Sequence, residues 1–116
     1  MNYEEILENA NNLLNFVYNN QDYKEVISQN LKLLNLATAA ENLGAFPTLI
    51  NVLTVTSLVH KRIGHYSLMN SNLWKILGHL SEIENQEETF NFVVRTWQET
   101  QQHDMLEKLK EINEGS

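Results

Sequence analysis

The chain has 116 residues, a formal net charge of −7 and no cysteine. That length fits one domain, with a core burying roughly two-thirds of the surface of the unfolded chain. The missing cysteines exclude disulfide staples and thiolate metal sites. The acidic balance disfavours nucleic acid and anionic membrane as partners, since both are bound through clustered Lys and Arg.

One proline and four glycines imply long elements with few turns, and the pattern along the chain is helical throughout. The opening MNYEEILENANN is acidic and amphipathic, unlike a secretory signal or a transit peptide, so the expected location is cytoplasmic. A first helix is predicted from Tyr3 to Asn19, with Asn2 as cap and Glu5 three residues on. Its apolar stripe is Ile6, Ala10, Leu13, Leu14 and Val17. Asp22, with Glu25 at the third position, opens a second helix from Tyr23 to about Leu43. Its inward residues are Val26, Ile27, Leu31, Leu33, Leu34, Leu36, Ala37 and Ala40, and Gly44 ends it in a left-handed cap.

The third segment, Phe46–His60, carries no charged residue; the other elements are expected to pack around it. Thr48, Ile50, Val52, Thr54, Val55, Thr56 and Val59 are β-branched and favour a strand. Adjacent apolar pairs at Val52–Leu53 and Leu58–Val59 break strand alternation, however. Pro47 suits a first helical turn, and Lys61, Arg62 and Gly64 form a basic C-terminal stop. A helix is therefore predicted. Asn51, the threonines and Ser57 make it too polar and too short for a membrane span.

A fourth helix is predicted over Tyr66–Glu84, with Leu68, Leu73, Trp74, Ile76, Leu77, Leu80 and Ile83 apolar. Asn85 should cap a fifth, with Glu88 at the third position and Phe90, Phe92, Val93, Val94 and Trp97 buried. Asp104 followed by Glu107 marks a further start, so a last helix breaks off near His103 with Met105, Leu106, Leu109 and Ile112 inward. The expected fold is all-α: five helices, or six with that break, antiparallel because the connections are short. Residues 1–113 form the domain and 114–116 a frayed tail.

Two helix pairs resemble each other, with Leu36-Ala37, Ala40 and Leu43-Gly44 matching Leu77-Gly78, Ser81 and Glu84-Asn85 about 41 positions on. Trp74-Lys-Ile-Leu77-Gly78 fits a W-x2-L-G opening, and Asn20-Gln-Asp-Tyr23-Lys-Glu-Val26-Ile27 fits a repeat turn. On those residues the chain resembles a degenerate tetratricopeptide-repeat (TPR) protein. The period is longer than that family's ~34 residues, and Phe90 stands where a small Ala is expected. A closed four- or five-helix bundle stays open beside a TPR-like array.

Chemistry is sparse. His60 and His65 are five apart, off the one-face spacing of a helical zinc pair. His79 and Glu82 have helical i, i+3 spacing but no further ligand, and no metal or cofactor is expected. His60-Lys61-Arg62-Ile63-Gly64 resembles the motif of histidine phosphotransfer domains, with Ile63 in place of their lysine. Paired carboxylates such as Glu87/Glu88 sit at helix starts, where the dipole explains them. Trp74 and Trp97 lie on apolar faces and are expected in the core. Asn70, Asn72, Lys75 and His79 lie roughly along the fourth helix, with Glu82 beyond them. They are the candidate partner-binding residues, since the TPR resemblance implies a concave surface lined by the first helix of each pair, here the fourth helix and either the first or the second.

The expected function is thus a non-enzymatic module binding a protein or peptide. An acidic inhibitor of a basic enzyme, in the manner of immunity proteins and antitoxins, is the alternative, and phosphotransfer a lesser one. The first helix and the Leu106–Ile112 stripe are candidate homodimer surfaces.

Overall fold

A computed structural model describes the backbone of residues 3–19 and 23–115, together with every side chain from 31 to 114 except that of Leu33 and with part of the first two helices. The described residues form six helices and no strand: α1 (Tyr3–Asn19), α2 (Tyr23–Asn42), α3 (Phe46–Ile63), α4 (Tyr66–Gly78), α5 (Gln86–Glu99) and α6 (His103–Gly115), with one 3-10 turn at Leu80–Glu82. The chain is all-α. The caps expected at Asn2 and Asp22 lie outside the described residues, as do the side chains of Ile6, Ala10, Leu14, Val17, Val26, Ile27 and Leu33.

The charge-free segment is the helical hub. It packs against α1, α2 and α4 and buries Leu49, Ile50, Val52, Leu53, Val55 and Val59. Helix wins over strand because tertiary packing on several sides suits a helix apolar nearly all round, and this outweighs the weak β-propensity of its branched residues. Thr54 remains compatible by donating its hydroxyl to the Ile50 carbonyl at 2.8 Å, the usual way a helical threonine satisfies itself. Thr56 and Ser57 are fully buried, and neither hydroxyl has a hydrogen-bond partner among the described residues.

Three turns share one design. After α2, the Gly44 N–H donates to Glu41 O and the Ala45 N–H to Ala40 O, both at 3.0 Å. After α3, Gly64 donates to Lys61 O and His65 to His60 O. After α5, Gln101 donates to Gln98 O and Gln102 to Trp97 O. Each is a paired closure through a left-handed residue, at φ 68° for Gly44 and 79° for Gly64, and at φ 58° for Gln101. The third turn carries a side chain where glycine is preferred, so no glycine marks it in the sequence.

Four expectations need correction. The fourth helix does not run to Glu84: it stops at Gly78, passes through the 3-10 turn and leaves Ile83 extended at φ −129°. Ile83 is buried all the same, now from an extended residue and not from a further turn of helix. Asn85 does occupy the cap position of α5, but its side chain makes no capping bond; Gln86 instead donates to Ile83 O at 3.2 Å. The last helix begins at His103, so Asp104 sits within its first turn rather than capping it. Finally, Leu31, Leu34 and Ile112 are exposed rather than inward, and Leu68 of the fourth helix's apolar set is exposed too. In α2 the buried stripe is Leu36, Ala37 and Ala40, and Leu31 and Leu34 point off it.

α5 is held differently from α3. Trp97 is completely buried, tilted against Trp74 with ring centroids 4.9 Å apart. Its indole N–H donates to Asn70 Oδ1 at 2.9 Å, and Asn70 Nδ2 donates to Gln102 Oε1 at 2.9 Å. Met105 of α6 reaches back to Trp74, whose Nε1 lies 3.2 Å from the sulfur. Both tryptophans thus serve packing, as their apolar positions suggested.

Candidate functional site

The five residues singled out on the fourth helix do not form one surface. Asn70 is spent on structure, bridging the Trp97 indole and the Gln102 amide. Asn72, Lys75 and His79 recur at the three- and four-residue spacing of one helix face. All three line a cleft of about 120 Å³. Its opposite wall is α2, through Leu34, Ala37, Thr38 and Glu41, and its floor is α3, through Leu49 and Leu53. His79 stacks on Phe46 at 5.2 Å between ring centroids, while its Nδ1 lies 3.3 Å from Glu82 Oε2. Glu82 therefore stands behind the wall, touching the cleft only through His79.

The groove has an apolar floor and two polar walls. Lys75 on one side faces a chain that is otherwise acidic, and Glu41 lies on the other side. Leu34, 41% exposed, stands at the rim, where its lack of a partner offers an apolar contact to another molecule. Of the two helices that the TPR resemblance allowed as the other wall, the cleft has the second, but the residues that face it were not singled out. Leu34 read as an inward position, and only the offset of the buried stripe to Leu36, Ala37 and Ala40 turns it toward the cleft.

A second cleft, of about 340 Å³, opens between α3 and α5. From α3 it takes Pro47, Ile50, Asn51 and Thr54; from the far side it takes Ile83, Asn85, Glu88, Thr89, Phe92 and Arg95. No feature of the sequence singled it out, although Arg95 is the lone cation of α5 and could have drawn notice. Near it, Lys61 Nζ bonds Glu99 Oε2 at 2.6 Å. That bond and the Lys61 charge hold the Glu99 carboxyl below its usual range, with a smaller push from Arg95.

His60, the residue that prompted the phosphotransfer comparison, is 3% exposed. Burial, and then the charge of His65, lower its pKa to about 4; the two rings lie 6.4 Å apart. A neutral ring inside the core presents no surface to a phosphoryl donor. No group of three or more metal-ligating side chains occurs among the described residues. No helix among them is long and apolar enough to cross a membrane. On the C-terminal stripe, Leu109 is buried and Met105 and Leu106 pack against the core, leaving Ile112 as its exposed member.

No family model matches the chain, and neither a curated protein nor a solved structure matches it.

Proposed function

We propose that the chain is a non-enzymatic protein-interaction module, receiving an amphipathic segment of a partner in the groove between α2 and α4. The reading keeps the helical-array character that Trp74–Gly78 resembles. The observation that carries it is the cleft whose base is the nearly buried pair Leu49 and Leu53, with the exposed Leu34 at its rim and a wall bearing Asn72, Lys75 and His79. Apolar anchors seated between polar rims are the usual anatomy of a protein interface. A complementary segment would place an apolar side chain on that floor beside Leu34 and a carboxylate at Lys75.

A tagged chain and its Leu34→Asp, Lys75→Glu variant test this in parallel purifications from the native host. Both positions are exposed, so the variant should keep its helicity and melting temperature while losing a stoichiometric partner. The same partner retained by both proteins would refute the groove.

The exposed carboxylates Glu82, Glu84, Glu87 and Glu88 around the α4–α5 connection favour a second reading, the acidic inhibitor of a basic enzyme. That mode requires association that weakens steeply with added salt, whereas the groove mode tolerates salt.

A further inference from the structure

The cleft between α3 and α5 is polarised. At one end lies the start of α5, with Glu84, Glu87 and Glu88 exposed. At the other lies Arg95, with Lys61 bound to Glu99 nearby, so two cations there face one carboxylate. Glu88 and Arg95 both line the cleft, yet no ion pair joins them.

Between those ends the lining suits a peptide. Ile50, Ile83 and Phe92 provide apolar surface, while Asn51 and Asn85 provide amides, each both donor and acceptor as a peptide backbone requires. The Asn85 side chain is not used for capping. Thr89 is only 7% exposed, lines the cleft, and its hydroxyl has no hydrogen-bond partner among the described residues.

Spacing sets the length of the ligand. Glu88 and Arg95 are seven helical residues apart, about 10.5 Å along the axis at 1.5 Å per residue. An extended peptide rises about 3.3 Å per residue and turns every second side chain to the same face, so two long side chains four residues apart, about 13 Å along the strand, can both reach the charges on α5. The opposite charges of a free amino acid are too close together to reach both ends. The cleft volume lies at the small end of the range for ligand sites, about 300–1,000 Å³.

We propose that this cleft binds a short extended peptide segment bearing a basic group at the Glu88 end and a carboxylate at Arg95, four residues away. The site lies on a different face of α3 from the groove floored by Leu49 and Leu53, and does not depend on it.

The test is fluorescence anisotropy with the whole chain and two labelled, amidated peptides. One carries Lys-Val-Thr-Val-Glu between glycine pairs; the other replaces its Lys and Glu with Gln. At low salt the charged peptide should bind about fivefold more tightly than the neutral one, or better, as expected for partly exposed charge pairs worth about 1 kcal/mol. Arg95→Gln and Glu88→Gln, both at exposed positions, should each reduce that preference and leave the melting temperature unchanged. Thr89→Val should weaken both peptides. The Leu34→Asp, Lys75→Glu variant should bind them as the parent does. Equal affinity for the two peptides, no saturable binding of either, or a preference surviving Arg95→Gln would overturn the proposal. Loss of binding in the groove variant would also overturn it, by moving the peptide to the other cleft.

Discussion

α3 and α5 are both buried along part of their length, but by different means. α3 is enclosed by α1, α2 and α4 and holds its place through six apolar side chains facing several neighbours. α5 buries Thr89, Val93, Thr96 and Trp97, and its largest anchor is Trp97, which with the Asn70–Gln102 relay ties it to α4 and the following turn. An interface distributed over many side chains has no single point of failure; one centred on a buried indole does. The comparison predicts that α5 and α6 detach before the hub opens.

The largest effect should come from Trp97→Ala, which removes a fully buried indole and strands the Asn70 amide. A loss of about 3–5 kcal/mol is expected, as for comparable core truncations. Hydrogen exchange should show α5 and α6 losing protection while α3 retains it. Equal loss in α3 would break the comparison, meaning that the two regions unfold as one unit.

Acid should strike the hub itself. His60 titrates at about 4 in the folded chain, against 6.5 for the free side chain, so the unfolded chain takes up the proton first. Its contribution to stability is complete above pH 6.5 and declines from there to about pH 4, where the folded state also protonates. Over that window the slope approaches about 1.4 kcal/mol per pH unit. Denaturant titrations of His60→Leu across pH 7 to 4 should be flatter than those of the parent; an unchanged slope would assign the acid sensitivity elsewhere.

The smallest effect sharpens the contrast between the turns. Gln101 closes α5 in the left-handed conformation that Gly44 and Gly64 adopt without strain. Gln101→Gly should stabilise the chain by about 1 kcal/mol, the cost of that conformation for a residue with a Cβ. A stabilisation confined to α5 and α6 in hydrogen exchange would show that this turn limits their docking.

Part of the candidate site was legible in the sequence. The helical spacing of Asn72, Lys75 and His79 places them on one face whatever the tertiary fold, and they do line one cleft. Asn70 broke the pattern because an amide near a buried indole N–H finds its best partner there, and which indole lies near is not a local property. Arg95 went unremarked because its significance depends on Asn51 and Thr54, more than forty positions earlier in the chain.

By itself the sequence determined the type of the elements and left their number at five or six. Helix periodicity, the positive-φ glycines and Pro47 act within a few residues, so their consequences hold in any tertiary setting. The central place of α3 followed as well, because an uncharged segment in an acidic chain has nowhere favourable to go but inside. Only the tertiary structure decided that α4 ends at Gly78 with Ile83 buried from an extended backbone, and that Leu34 faces a groove instead of the core. It also decided that Asn70 serves Trp97. Those outcomes depend on which surfaces meet across long stretches of chain, where packing and partner geometry outweigh differences in local preference of a kcal/mol or less.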